Sequence, residues 1–242
     1  MRWLIPLALP ALFLASCGTP SPGGATSWKR DYWGHRPGPK GFTTVILDAG
    51  HGGHDPGAIA RSNGAREKDL ALDTVKRIKR KLGGRVKVVL IRSGDRFVDL
   101  DERVRLASKR NGAILVSVHY NAAPRGWKGP ENYWWRVDSH GLATRLQKEL
   151  DHASPFNGPN RGKVRRRLRL TRNPNIPSVL VECGYLIHPT EARRCNSASY
   201  RDRLASAIAR AILDQQAYGD PPGRLPKPIN KPPSRPTDPP GS

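Results

Sequence analysis

Acidic residues are scarce in this sequence: 20 Asp and Glu stand against 42 Lys and Arg, a formal net charge of +22. Nucleic acid is the usual partner of so basic a chain. Long apolar runs are also lacking. The only sustained one, near the start, is too short to cross a bilayer comfortably, so it does not read as a membrane span. There is no internal repeat. Cysteine is limited to Cys17, Cys183 and Cys195, which allows at most one pair among the two later thiols if the first is otherwise engaged.

What is present at the ends looks unlike a folded domain. The start, MRWLIPLALPALFLASC, has an early positive charge, an apolar stretch and then small residues, the shape of a secretory signal. Its close, Leu14-Ala15-Ser16-Cys17-Gly18, resembles the bacterial lipobox, in which cleavage precedes the cysteine and lipid is attached to it. We therefore expect a signal peptide over 1–16, a lipidated Cys17 and a membrane anchor through its acyl chains. Residues 17–41 then serve as a flexible tether. Gly18 in place of an acidic residue after Cys17 favours the periplasm and outer membrane over the inner membrane. Residues 219–242 hold nine prolines and little to bury, so we expect an extended, disordered tail. A folded domain is left over 42–218, long enough for a real core. Export also bears on the charge. Outside the cytoplasm the abundant polyanions are cell-wall and lipid head-group polymers, so no nucleic-acid partner is expected. The densest patch, residues 163–169 (KVRRRLR), reads either as part of that surface or as a solvated face that aids solubility.

Four apolar runs read as buried strands: 44–47, 86–91, 113–118 and 178–181. They are continuous in Val, Ile and Leu, as in sheets covered on both faces. A fifth, residues 131–137 (ENYWWRV), is aromatic and more polar and is expected nearer an edge. Helical stripes fall between them, over 67–82, 99–109, 139–150 and 201–217. Gly83-Gly84 is placed to stop the first helix. Alternation of strand and helix predicts an α/β domain: a mainly parallel sheet with helices on both faces.

Polar residues cluster at the strand ends. The first strand runs into Asp48 and then His51 on a glycine-rich loop. The third runs into His119 and the fourth into Glu182. In open α/β sheets, sites lie beyond the carboxyl ends of strands, so two imidazoles and a carboxylate are delivered to one edge. Glu67, opening the first helix, adds another carboxylate, although an acidic side chain at a helix N-terminus is favourable in any case. Two His and a Glu are the ligand set of a catalytic zinc site, and a further carboxylate can act as general base. The candidates are 16, then 52, then 63 residues apart. That spacing alone leaves the choice between a metal site and hydrogen-bonded structural histidines open. It also leaves open which Glu binds metal.

The blocks LDAGHGGHDPGA, REKDLAL, LIRSGDRFVDLDERVRLAS, LVSVHYNA and PSVLVECGYLIHPTEA together resemble, in order, the zinc-dependent N-acetylmuramoyl-L-alanine amidases of the AmiC-like catalytic family (amidase type 3). The likeness covers residues 43–216. It implies a three-layer fold with a twisted, mostly parallel sheet of about six strands. It implies one zinc ion held by His51, Glu67 and His119, with Glu182 as the catalytic carboxylate. The implied reaction is hydrolysis of the amide between N-acetylmuramic acid and L-alanine in peptidoglycan, which serves wall remodelling or daughter-cell separation. A non-catalytic peptidoglycan-binding module and a zinc peptidase cutting within the stem are the alternatives. Asn121 and Arg161 are candidate substrate contacts. Asp48 is expected to orient the loop or a ligand. His54, at a position the family leaves variable, reads as a loop residue, and His35, His140, His152 and His188 as surface residues. Cys183 and Cys195, if paired as a disulfide, would staple the loop after the fourth strand; sequence leaves the pairing open. Some relatives carry an inhibitory helix over the zinc. The 62 residues between His119 and Glu182 leave little room for one, so activity is expected without an activator protein.

Overall fold

A computed structural model of the chain describes residues 37–122, 126–155, 160–220 and 226. The signal, Cys17, His35, most of the tether and most of the tail lie outside the described residues. In chain order the elements are β1 (Thr44–Ala49), α1 (Glu67–Leu82), β2 (Lys87–Leu90), α2 (Leu100–Ser108), β3 (Ala113–Asn121), β4 (Glu131–Trp134), a 3₁₀ turn (Val137–Ser139), α3 (His140–Ala153), β5 (Lys163–Arg165), α4 (Arg169–Arg172), β6 (Ser178–Tyr185), α5 (Pro189–Cys195) and α6 (Ala198–Tyr218).

The strands form one sheet in the order β2-β1-β3-β6-β4-β5. All neighbours pair in parallel except β4 with β6. Alternating side chains divide the core between the two faces. Val45, Leu47, Ile114, Val116 and Val118 pack with α1, α3 and α6, whereas Ile46 and Leu115 pack with Ala107 of α2 and Leu170 of α4. Burying each such aliphatic side chain contributes roughly 1.5–3 kcal/mol. This is the three-layer, mostly parallel α/β arrangement expected, with β4 second from an edge.

The helix limits follow local chemistry. Gly83 ends α1 in the left-handed conformation at φ 55°, which costs glycine nothing. Asp99 opens α2, its side chain accepting from the Glu102 backbone N–H at 2.9 Å. Four features differ from the sequence reading or settle what it left open. Residues 163–165 of the basic run form the edge strand β5 rather than a wholly solvated face. The guanidinium of Arg165 lies over the rings of Trp134 and Trp135, and that of Arg166 over Tyr133. Second, α4 and α5 are helices too short to show a stripe. Third, Cys183 and Cys195 are both buried free thiols, with no disulfide between them. His140 is also not a plain surface residue: it packs edge-on to Trp134 and meets Lys163 Nζ at 2.6 Å.

The two ends of the described domain meet at the edge where β1 begins. The Gly38 amide donates to Asp220 Oδ2 at 2.7 Å, and the Gly41 amide to the Gln216 carbonyl at 2.7 Å. The opposite edge, at the carboxyl ends of β1, β3 and β6, carries the site.

Candidate metal centre

The loop after β1 is built to hold one imidazole in one place. His51 has φ 56°, the one positive value on a residue other than glycine among the described residues. Such a conformation costs on the order of 1–3 kcal/mol and persists only where its surroundings impose it. Two buried arginines do so. Arg92 donates to the carbonyls of Ala49, Gly50 and Lys68 at 2.7–2.8 Å. Arg103 donates to those of Ala49, His51 and Val98 at 2.8 Å each and pairs with buried Asp48 at 2.5 Å. Asp48 in turn accepts from Ser117 Oγ at 2.7 Å. It thus orients the loop, as expected, and does so through Arg103. Gly50 must be glycine, because a Cβ there would lie 2.3 Å from the His119 ring.

Glu67 is the hub. Its Oε1 lies 3.1 Å from His51 Nε2 and 2.9 Å from His119 Nδ1. It also accepts backbone N–H bonds from Tyr120 at 3.0 Å and, on Oε2, from Ala58 at 2.9 Å. The ligand atoms of His51, Glu67 and His119 all lie within 4.8 Å of one another. The His51 ring is fixed from behind by Asp55, whose Oδ2 meets Nδ1 at 2.7 Å. A carboxylate in that place sets tautomer and direction, leaving Nε2 for the cluster. Asp55 was not singled out from sequence, although its position four residues after His51 is the available signal.

Burial pushes the Glu67 carboxyl up, but hydrogen bonds from His119 and His51 outweigh it and hold the group well below the usual range. Burial lowers the His51 pKa, yet Glu67 and Asp55 raise it on balance. Glu182 behaves oppositely. Burial, then the charges of Glu67 and Glu131, push it well above the ordinary carboxyl range. Its Oε2 is buried without a hydrogen-bond partner among the described residues. In the sheet Glu182 stands opposite His119 on one side and Glu131 on the other. The four residues singled out from strand ends and the helix start therefore share one edge.

Asn121 and Arg161 meet a second buried carboxylate. Both grip Glu131, Asn121 Nδ2 at 3.0 Å and Arg161 Nε at 2.9 Å. Glu131 is a further residue the sequence reading missed. Beside the cluster opens a cleft of about 640 Å³, lined by His51, His119, Asp55, His54, Phe97 and Arg169 among others. His54 stacks on the half-exposed Phe97 ring with centroids 4.2 Å apart, so it forms part of the cleft wall.

Comparison with known proteins agrees with this geometry. The profile of the family described as N-acetylmuramoyl-L-alanine amidase matches residues 45–214. The chain is 36% identical over 178 residues to the endolysin of Bacillus phage SPP1, covering 70% of this chain and 65% of that protein. It is 34% identical over 171 residues to the N-acetylmuramoyl-L-alanine amidase LytC of Bacillus subtilis (strain 168), covering 68% and 34%. It thus spans less than two thirds of the length of either relative. Among solved structures, an N-acetylmuramoyl-L-alanine amidase from Clostridium difficile 630 superposes with a TM-score of 0.67 at 31% identity, covering 73% of this chain and 97% of that one. With a strand-edge cluster, a matching profile and a shared fold in agreement, this chain belongs to the N-acetylmuramoyl-L-alanine amidase family.

Proposed function

We propose that this protein hydrolyses the amide joining the lactyl group of N-acetylmuramic acid to L-alanine of the peptidoglycan stem, using one zinc ion. One observation carries the reading: on a chain of this family, His51, Glu67 and His119 converge beside a buried Glu182 oxygen that has no hydrogen-bond partner among the described residues. The donor set fits zinc. Two imidazoles and a carboxylate with a position left open are the ligands of catalytic zinc sites. The 2.9 and 3.1 Å separations of the imidazole nitrogens from Glu67 Oε1 are close to the roughly 3.3 Å between ligands of a tetrahedral ion with bonds near 2.0–2.1 Å. His51 Nε2, Glu67 and His119 Nδ1 would hold it.

A bound zinc ion supplies positive charge that polarises the scissile carbonyl and makes water more acidic. The chain's residues do the rest. Glu182 accepts a proton from the attacking water and returns it to the nitrogen of L-alanine as the C–N bond breaks. Its buried Oε2, without a hydrogen-bond partner among the described residues, supports that role. Asp55 keeps the His51 ring aligned, and Arg92 and Arg103 keep the loop from relaxing.

The test separates metal binding from chemistry. Glu182→Ala should keep its zinc, measured by elemental analysis, and lose on the order of 10²–10⁴ in turnover of purified peptidoglycan. His51→Ala and His119→Ala should lose both. A Glu182→Ala protein that turns over near the normal rate would remove the assignment of Glu182. Wall binding without turnover in the unaltered protein would favour a binding module, and products cut inside the stem would favour a peptidase.

A further inference from the structure

The edge that carries the metal-ligand cluster continues past Glu182. Across β3, β6, β4 and the approach to β5 it presents His119, Glu182, Glu131 and Arg161 in that order. Glu131 is fully buried. Its Oε1 accepts from Asn121 Nδ2 at 3.0 Å, Tyr133 Oη at 2.6 Å and Arg161 Nη2. Its Oε2 accepts from Arg161 Nε at 2.9 Å and Tyr185 Oη at 2.7 Å. A carboxylate so saturated with donors is no proton carrier. It works as a clamp, and what it clamps is Arg161.

Arg161 uses only one edge of its guanidinium in that grip. Nε and Nη2 are engaged, and Nη2 also meets Tyr133 Oη at 2.5 Å. Nη1 has no hydrogen-bond partner among the described residues, and the side chain is 26% exposed. The guanidinium carbon sits 5.6 Å from the Tyr133 ring centroid and 5.9 Å from that of Trp127, a ring itself 38% exposed. A planar cation fixed on one edge loses little freedom when its other edge takes an anion.

We propose that Arg161 is an anion-recognition residue that takes the free α-carboxylate of the stem residue following L-alanine. The inference rests on the amidase reading, because that reading gives the strand edge its direction. Glu182 protonates the departing nitrogen, so the peptide leaves from the Glu182 side, and Arg161 lies further along the same edge. Neighbouring strands are about 4.8 Å apart, which puts the strand beside Arg161 roughly 10 Å from that of Glu182, and a long arginine side chain shortens the gap. A residue spans up to about 3.6 Å, so a carboxylate on the second residue lies up to about 7 Å from the departing nitrogen, inside that gap. That residue is linked onward through its side-chain carboxyl, which leaves its α-carboxyl either free or capped as an amide. Arg161 distinguishes the two: the acid accepts a charge-assisted hydrogen bond and the amide does not.

The test is binding of two product fragments, L-alanyl-D-glutamate and L-alanyl-D-isoglutamine, each with its γ-carboxyl capped as a methylamide, to the full zinc-loaded chain by calorimetry or NMR titration. Neither is a substrate, so the readout needs no turnover. The acid should bind about tenfold or more tightly than the amide. In Arg161→Met that preference should fall below about twofold, with affinity for the amide unchanged. Glu131→Gln, which loosens the grip but keeps the cation, should give an intermediate preference. Equal affinities in the unaltered protein overturn the proposal, as does absence of binding by either dipeptide. A loss in Arg161→Met that falls equally on both also overturns it and marks a structural role. Stem release from peptidoglycan is scored separately. Discrimination without release would remove the amidase reading and keep the anion site, and release without discrimination would remove only the anion site.

Discussion

At the scale of single residues, the site depends on buried charges that touch no substrate. Arg103 is the clearest case. It spans Asp48 and three carbonyls of the loops around His51, so its removal leaves a buried carboxylate unpaired and frees the strained loop. Arg103→Met should cost about 3–5 kcal/mol of stability in urea unfolding. In the protein that remains folded, zinc affinity should fall about 10–100-fold, as for other groups that orient ligands. Unchanged affinity in a folded Arg103→Met protein would show that the loop holds His51 without it. This role was partly legible. Leu100, Arg103, Val104 and Ala107 share one face of α2, and a charge on an apolar stripe signals a buried partner. His51, His119 and Glu182 were legible because apolar strands run directly or almost directly into them. Glu131 was not: it opens an aromatic strand, where a carboxylate resembles an ordinary edge residue. Its meaning lies in Arg161, Tyr133 and Tyr185, which only the fold brings to it.

At the scale of elements, long periodic segments were the most readable. The stripe over 67–82 matches α1, because sixteen residues give the 3.6-residue period room to show and Gly83 stops it. β5 has three residues, two of them basic, and is made by pairing with β4, not by its own pattern. α5 has seven residues and was likewise missed. It carries a testable group. Glu191 is buried, accepts from the Gly129 amide at 2.8 Å and so ties α5 to the segment that leads into β4. Burial pushes its carboxyl from 4.5 up to about 7. A carboxyl that holds its proton more tightly folded than unfolded favours folding fully below the unfolded pKa. That contribution is lost as pH rises from about 4.5 through about 7, on the order of 3 kcal/mol in all. Glu191→Gln keeps the acceptor and cannot ionise. Its thermal stability should therefore fall less than that of the unaltered protein across this pH window and exceed it at pH 8. Parallel pH profiles for the two proteins would contradict the assignment.

At the scale of the molecule, topology does what no motif does alone. Parallel strands gather their carboxyl ends, so residues far apart in the chain meet at one edge, while the ends of the described domain leave from the other. Strand and helix alternation was enough to anticipate that layout. The order along the edge was not, because the antiparallel insertion of β4 between β6 and β5 is what brings Glu131 and Arg161 beside Glu182. On the function proposed above, this edge cuts the muramoyl–alanine amide with zinc. Mass analysis of the soluble products from purified peptidoglycan incubated with the full chain, with and without a chelator and with no activator added, tests it most directly. The expected products are intact stem peptides with a free L-alanine amine, lost on chelation and restored by zinc. Products that begin elsewhere in the stem, or release that continues undiminished under chelation, would contradict it.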